Sequence, residues 1–132
     1  MKRLLLIDDD RDFLQLLSSV LQQDFQVYEA AGVAEALKTF DSAPVHAICS
    51  DLNMRDGTGI ELLEKLHHEN VKIPFLLMSG DDDCRLVDIT KRYGAAFCCK
   101  TDFDLLEIRF YTNASPPRLF IKVAHSHFFY LF

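Results

Sequence analysis

Residues 4–14, LLLIDDDRDFL, decide the fold: an apolar run from Leu4 to Ile7 ends abruptly in Asp8, Asp9 and Asp10. A short continuous apolar run of this kind reads as a strand buried on both faces, as in a parallel sheet. From Asp10 the period changes. Phe13, Leu16, Leu17, Val20 and Leu21 recur at helical spacing and predict one apolar face of a helix. Neighbouring carboxylates oppose one another's ionisation, so the three acids raise the question of what neutralises them.

Outward from this unit the alternation repeats. Strands are predicted at Phe25–Ala30, Val45–Cys49, Ile73–Met78 and Ala95–Cys99. Between them, Val33, Ala36, Leu37 and Phe40 mark one helix, Ile60, Leu63 and Leu66 another, and Leu86–Tyr93 a third, closed by Gly94. Asp102 is suited to cap a last helix running to about Tyr111. Strands alternating with helices predict an α/β fold, a doubly wound five-stranded parallel sheet in the order 2-1-3-4-5 of the flavodoxin-like type. In such sheets ligands lie beyond the carboxyl ends of the strands, where the strand order reverses. Asp8 and Asp9 follow the first strand, Asp51 the third, Ser79 the fourth and Lys100 the fifth, so these polar groups share one rim.

The composition narrows the function classes. A chain of 132 residues is one domain's length, and 49% hydrophobic with 26% charged residues is ordinary for a globular protein with its own core. A net charge of -6 argues against a nucleic-acid surface, which needs clustered Lys and Arg. The charge is uneven: all 20 acids lie before residue 111, and residues 111–132 carry only Arg118 and Lys122. Cys49, Cys84, Cys98 and Cys99 form no CxxC pair, which disfavours zinc and favours buried, reduced thiols in a cytoplasmic protein. Leu4–Ile7 is too short for a signal peptide, and the tail FFYLF is too short to span a bilayer.

The order 2-1-3 sets Asp8 and Asp9 beside Asp51. Three converging carboxylates call for a cation, and Mg²⁺ is the natural one, since it takes oxygen ligands and is held by one or two carboxylates plus a phosphate. Asp51 is then the candidate nucleophile for an aspartyl phosphate. The transfer depends mainly on alignment and charge neutralisation. Lys100 offers a compact positive charge to one phosphoryl oxygen, and the Ser79 hydroxyl a hydrogen bond to another.

The stretches LLLIDDD, CSDLNM, FLLMSG and FCCK, in this order and spacing, resemble the receiver domain of two-component response regulators of the chemotaxis-regulator kind, over about residues 1–110. The resemblance implies phosphorylation of Asp51 by a sensor histidine kinase, a phosphotransfer protein or a small donor such as acetyl phosphate. It implies Mg²⁺ on Asp9 and Asp51, with Asp8 joined through water and the backbone carbonyl of Asn53 as a further ligand. Asn53 and Asp81 take the positions that tune hydrolysis of the phosphoryl group. Ser79 and Phe97 form the switch pair, and the fourth helix, fifth strand and fifth helix form the surface that docks a downstream protein. The protein so described catalyses its own phosphorylation and dephosphorylation but is not a metabolic enzyme.

Two departures stand out. Arg55 replaces the proline usual after Met54, and Thr101 replaces the proline usual after the lysine, where a cis bond is common. Without proline a cis bond costs about 2.5–4 kcal/mol, so the aim of Lys100 is the exposed point of the reading. Plainer roles also exist: Asp10 as a helix cap, Phe97 as a core residue, Asp81–Asp83 as a solvated run, His46 as a packed strand residue, His67 and His68 as surface residues, and Gly57 and Gly59 as turn formers. Residues 111–132 form an atypical aromatic tail without an output domain. Ser115-Pro116-Pro117 breaks any helix there, and Leu119, Ile121 and Val123 alternate as in a strand. The tail is expected to fold onto the domain, to stay disordered, or to pair across a homodimer, which is favoured because an unpaired apolar edge invites association. The main alternative is a non-phosphorylated pseudo-receiver acting as a constitutive binding module. A receiver severed from a longer regulator is another. An aspartyl phosphohydrolase is disfavoured, because Asn53 stands where that class needs a second acid.

Overall fold

A computed structural model describes residues 2–80, 84–100, 106–111, 118–123 and 127–131. The alternation is realised as β1 (Lys2–Ile7), α1 (Arg11–Leu21), β2 (Phe25–Ala30), α2 (Val33–Ser42), β3 (Ala47–Asp51), a small hairpin β4 (Asn53–Met54) and β5 (Gly57–Thr58), α3 (Gly59–His68), β6 (Phe75–Ser79), α4 (Cys84–Arg92) and β7 (Ala96–Cys99). The five main strands pair in parallel in the order β2-β1-β3-β6-β7, which is the expected 2-1-3-4-5 once the hairpin is set aside.

Strands buried on both faces explain the continuous apolar runs. Leu4, Leu6, Cys49, Leu76 and Met78 face one side of the sheet, against Leu14, Leu17 and Leu21 of α1. Leu5, Ile7, Ile48, Leu77 and Phe97 face the other, against Ala36, Leu62, Leu63, Leu66 and Leu86 of α2, α3 and α4. Cys49 and Cys98 are buried thiols outside any disulfide, and burial pushes the Cys49 thiol up to about 12, where it is inert. Gly94, with φ of 70°, ends α4 in the left-handed conformation that glycine adopts without strain.

Four sequence expectations need correction. The inward face of α1 is Leu14, Leu17, Ser18 and Leu21, while Leu16 and Val20 are 61% and 52% exposed. The apolar stripe is wider than the face the sheet can cover, and buried Ser18 is compatible with it because its hydroxyl accepts a bond from Gln22 Nε2. His46 precedes β3 rather than lying in it, and its Nδ1 accepts a bond of 2.9 Å from the Arg3 amide. The helix expected up to Tyr111 is instead a strand over its second half: β8 (Leu106–Tyr111) pairs antiparallel with β9 (Arg118–Val123), which pairs with β10 (His127–Leu131). The alternation of Leu106, Ile108 and Phe110 fits a strand as soon as β9 is available as partner. The docking surface expected to include a fifth helix therefore has β8 where that helix was to end. The tail strands find their partners within the chain, and β10 lies near the edge strand β7.

Gly59 opens α3 against the strand that carries Asp51. A Cβ there would stand 2.5 Å from the Asp51 carbonyl oxygen and 2.6 Å from Leu77 Cδ1. Gly59→Ala is expected to lower stability by about 1–3 kcal/mol, read from the urea midpoint, because both neighbours are packed in the core and have little room to give.

Candidate functional site

Register builds the site. Ile7 pairs with Ser50 and Asp51 with Met78, so the residues just past β1 lie beside the end of β3. Carboxylate oxygens of Asp8, Asp9 and Asp51 all lie within 4.8 Å of one another. Asp8 is fully buried and Asp51 nearly so, whereas Asp9 is half-exposed at the mouth. Backbone contacts fix the turn after β1: the Asp8 amide donates to Ala30 O, and the Asp10 amide donates to Asp8 Oδ1 at 2.9 Å. Asp10 is the N-cap of α1, its Oδ1 accepting from the amides of Asp12 and Phe13.

Lys100, immediately after β7, reaches into this cluster. Its Nζ lies 2.7 Å from Asp8 Oδ2 and 3.2 Å from Asp51 Oδ1. The first contact has the length but not the angles of a hydrogen bond, so it is an ion pair, and Asp8 Oδ2 remains a buried oxygen without a directional donor. Nζ also sits 4.6 Å from the centroid of the Phe13 ring. Burial works to lower the Lys100 ammonium, but the contact with Asp8 and the charge of Asp51 outweigh it and hold it above its ordinary value. Asp51 goes the other way. Burial first, then the charge of Asp8, pushes it up to about 6, and Lys100 offsets only part of this.

The other expected residues are placed as follows. Ser79 ends β6 in register with Cys99 and is buried at the same rim. Phe97, in β7, is buried among Leu77, Leu86 and Ala95, as a core residue would be. Asn53 is exposed in β4, two residues after Asp51. Asp81 and Thr101, with the bond from Lys100 to Thr101, lie outside the described residues, as do Asp102, Asp82 and Asp83. His67 and His68 are exposed.

Two residues have contacts near the site that their sequence pattern does not announce. Phe13 packs against the core as its helical spacing predicts, and its ring also faces Lys100. The carboxylate of Asp56 accepts bonds of 2.8 and 3.0 Å from the amides of Val33 and Ala34 at the start of α2, which holds its carboxyl below the ordinary value. The only local hint is that Gly32 caps α2 with no side chain of its own.

The cluster suits a hard divalent cation. Its donors are all oxygens, three carboxylates lie within 4.8 Å of one another around a single ammonium, and the buried Asp8 Oδ2 has that ion pair but no hydrogen-bond donor of good geometry. A model of the response regulator receiver domain matches residues 4–109. The chain belongs to that family. The family is a signalling domain rather than a classical enzyme; phosphorylation, by histidine kinases or phosphotransfer proteins, and Mg²⁺ at the acidic pocket are typical of it. The photosynthetic apparatus regulatory protein RegA of Cereibacter sphaeroides is 33% identical over 95 residues, covering 71% of this chain and 45% of RegA. Among solved structures, the chemotaxis protein CheY4 of Vibrio cholerae aligns with a TM-score of 0.70 and 29% identity over 76% of this chain and 87% of that one. TrrA of Thermotoga maritima shares the fold, with a TM-score of 0.69 and 24% identity over 79% and 91% of the two chains. The chain spans less than half the length of the curated relatives it matches. No helix among the described residues is long and apolar enough to cross a membrane.

The raised Asp51 sets a pH dependence with a definite sign. Its folded-state value exceeds its ordinary 3.8, so the folded protein binds the proton more tightly, and stability falls as pH rises from about 4 through about 6. Without divalent cations, the urea midpoint is expected to drop between pH 5 and pH 7.5 by the equivalent of about 1 kcal/mol. Asp51→Asn removes that drop, and Mg²⁺ raises the midpoint at pH 7.5 far more than at pH 5, where protons already neutralise Asp51.

Proposed function

We propose that this chain works as a phosphoacceptor receiver: Asp51 takes a phosphoryl group from a phosphohistidine of a sensor histidine kinase or phosphotransfer protein, and the change is read by a downstream protein. The observation that carries the reading is the Lys100 ammonium held between Asp8 and Asp51, 2.7 and 3.2 Å away, despite the threonine that follows it.

An Asp51 carboxylate oxygen attacks phosphorus in line, the bond from phosphorus to the donor imidazole nitrogen breaks, and that nitrogen keeps the electron pair. Lys100 is close enough to exchange its contact with Asp51 for one with a phosphoryl oxygen, and the Ser79 hydroxyl is on the same rim to meet another. Asp8, Asp9, Asp51 and the Asn53 carbonyl are the groups that would hold Mg²⁺, which supplies the remaining charge neutralisation when bound. TrrA, a protein of the same fold, has been solved in complex with Mg(2+)-BeF. Asn53 and Asp81 are assigned to tuning hydrolysis, and Ser79 with Phe97 to the switch; the buried cluster that Phe97 shares with Leu86 of α4 supports a link between the rim and that helix. We divide the chain into a receiver over 1–110 and a tail over 111–132, with β8 crossing that boundary. A homodimer through the tail is the further reading of the partner surface, and a concentration-independent monomer by light scattering would sink it.

The function is tested by intact mass after incubation with acetyl phosphate. Wild type with Mg²⁺ is expected to gain one phosphoryl group, and wild type without Mg²⁺, or Asp51→Asn with it, to gain none. A folded, Mg²⁺-binding wild type that gains nothing would overturn the reading.

A further inference from the structure

We propose that Phe13 is a positioning residue for Lys100, a role that rests on the phosphoacceptor reading above. The two residues close a circuit of contacts. Asp8 Oδ1 accepts from the Asp10 amide at 2.9 Å, and Asp10 Oδ1 accepts from the Phe13 amide at 3.2 Å. The Phe13 ring lies 4.6 Å from Lys100 Nζ, and Nζ returns to Asp8 Oδ2 at 2.7 Å. The cap that starts α1 therefore also places the ring over the ammonium.

A lysine needs such a guide. Its ammonium ends a flexible four-carbon stem, and the residue after it is Thr101 rather than the rigid proline the family usually has there. An aromatic face attracts a cation through its quadrupole and shields one side of it from water. The ring also has a property no carboxylate shares: it holds the charge without dictating which oxygen the charge must contact. Lys100 is divided between Asp8 and Asp51, with its side chain only 19% exposed. As Asp51 takes up a phosphoryl group, the ammonium has to turn to a new oxygen, and the ring lets it turn without releasing it to solvent. Phe13 also packs against the core beneath α1, so the ring face has to be separated experimentally from mere apolar bulk.

Phe13→Leu keeps the bulk and removes the face; Phe13→Trp keeps a face. With acetyl phosphate and Mg²⁺, Phe13→Leu is expected to slow phosphorylation of Asp51 roughly tenfold, with Phe13→Trp restoring a rate near wild type. In a Lys100→Met background, Phe13→Leu should slow it no further. Equal rates for wild type and Phe13→Leu, failure of Phe13→Trp to rescue, or the same fold loss with and without Lys100 would each overturn the assignment. If wild type takes no phosphoryl group, the functional reading has failed, and urea unfolding of the same variants decides the pairing alone. A Phe13→Leu effect that vanishes without Lys100 supports it, and an effect that persists unchanged overturns it.

Discussion

Parallel pairing of β1 with β3 forces the carboxylates of Asp8 and Asp51 against each other, and the ammonium of Lys100 is what makes that tolerable. The geometry leaves little choice. A carboxylate buried as fully as Asp8 is costly unless paired, and the lysine that pairs it comes from beyond β7, two strands away from β3 across β6. The acidic end of the sheet is neutralised only when the sheet is complete to its far edge. Pairing of β6 with β7 is thus as much a condition of the site as the aspartates themselves.

The same arrangement accounts for the electrostatics of the site. Burial first, and then the charge of Asp8, holds Asp51 up near 6, and Lys100, shared between the two carboxylates, offsets only part of it. A carboxylate held in that condition gains from any incoming group that adds positive charge or takes the negative charge away. Storing an unsatisfied charge costs stability, and the two hydrophobic layers on either side of the sheet offset it.

Most of this was legible because it depends on runs and on positions past strand ends. Leu4–Ile7 and Phe75–Met78 are buried on both faces, so their pattern is continuous and their ends are sharp; Asp8, Asp51 and Lys100 fall where such ends must meet. What failed had more than one solution locally. The apolar residues of α1 outnumber those the sheet can cover, and periodicity alone does not choose between Leu14 with Ser18 and Leu16 with Val20. Residues 106–111 satisfy a strand as readily as a helix, and the partner strand that decides lies some dozen residues on. Asp56 and Phe13 were invisible for a different reason: each acts on an element distant in sequence, across 22 to 87 positions, and no local rule points that far.

The turn at Asp56–Thr58 has a consequence for how this chain tolerates change in length. Asp56 binds the first amides of α2, and two residues later the Thr58 hydroxyl accepts from the Glu61 amide at the start of α3. Surface loops ordinarily absorb insertions and deletions. This one is solvent-exposed at Asp56 yet serves two helix beginnings at once, while Asn53, three residues earlier, stands in its short hairpin. One residue added or removed would put one helix start or the other out of reach. The segment is therefore free to vary in much of its chemistry but hardly at all in its count.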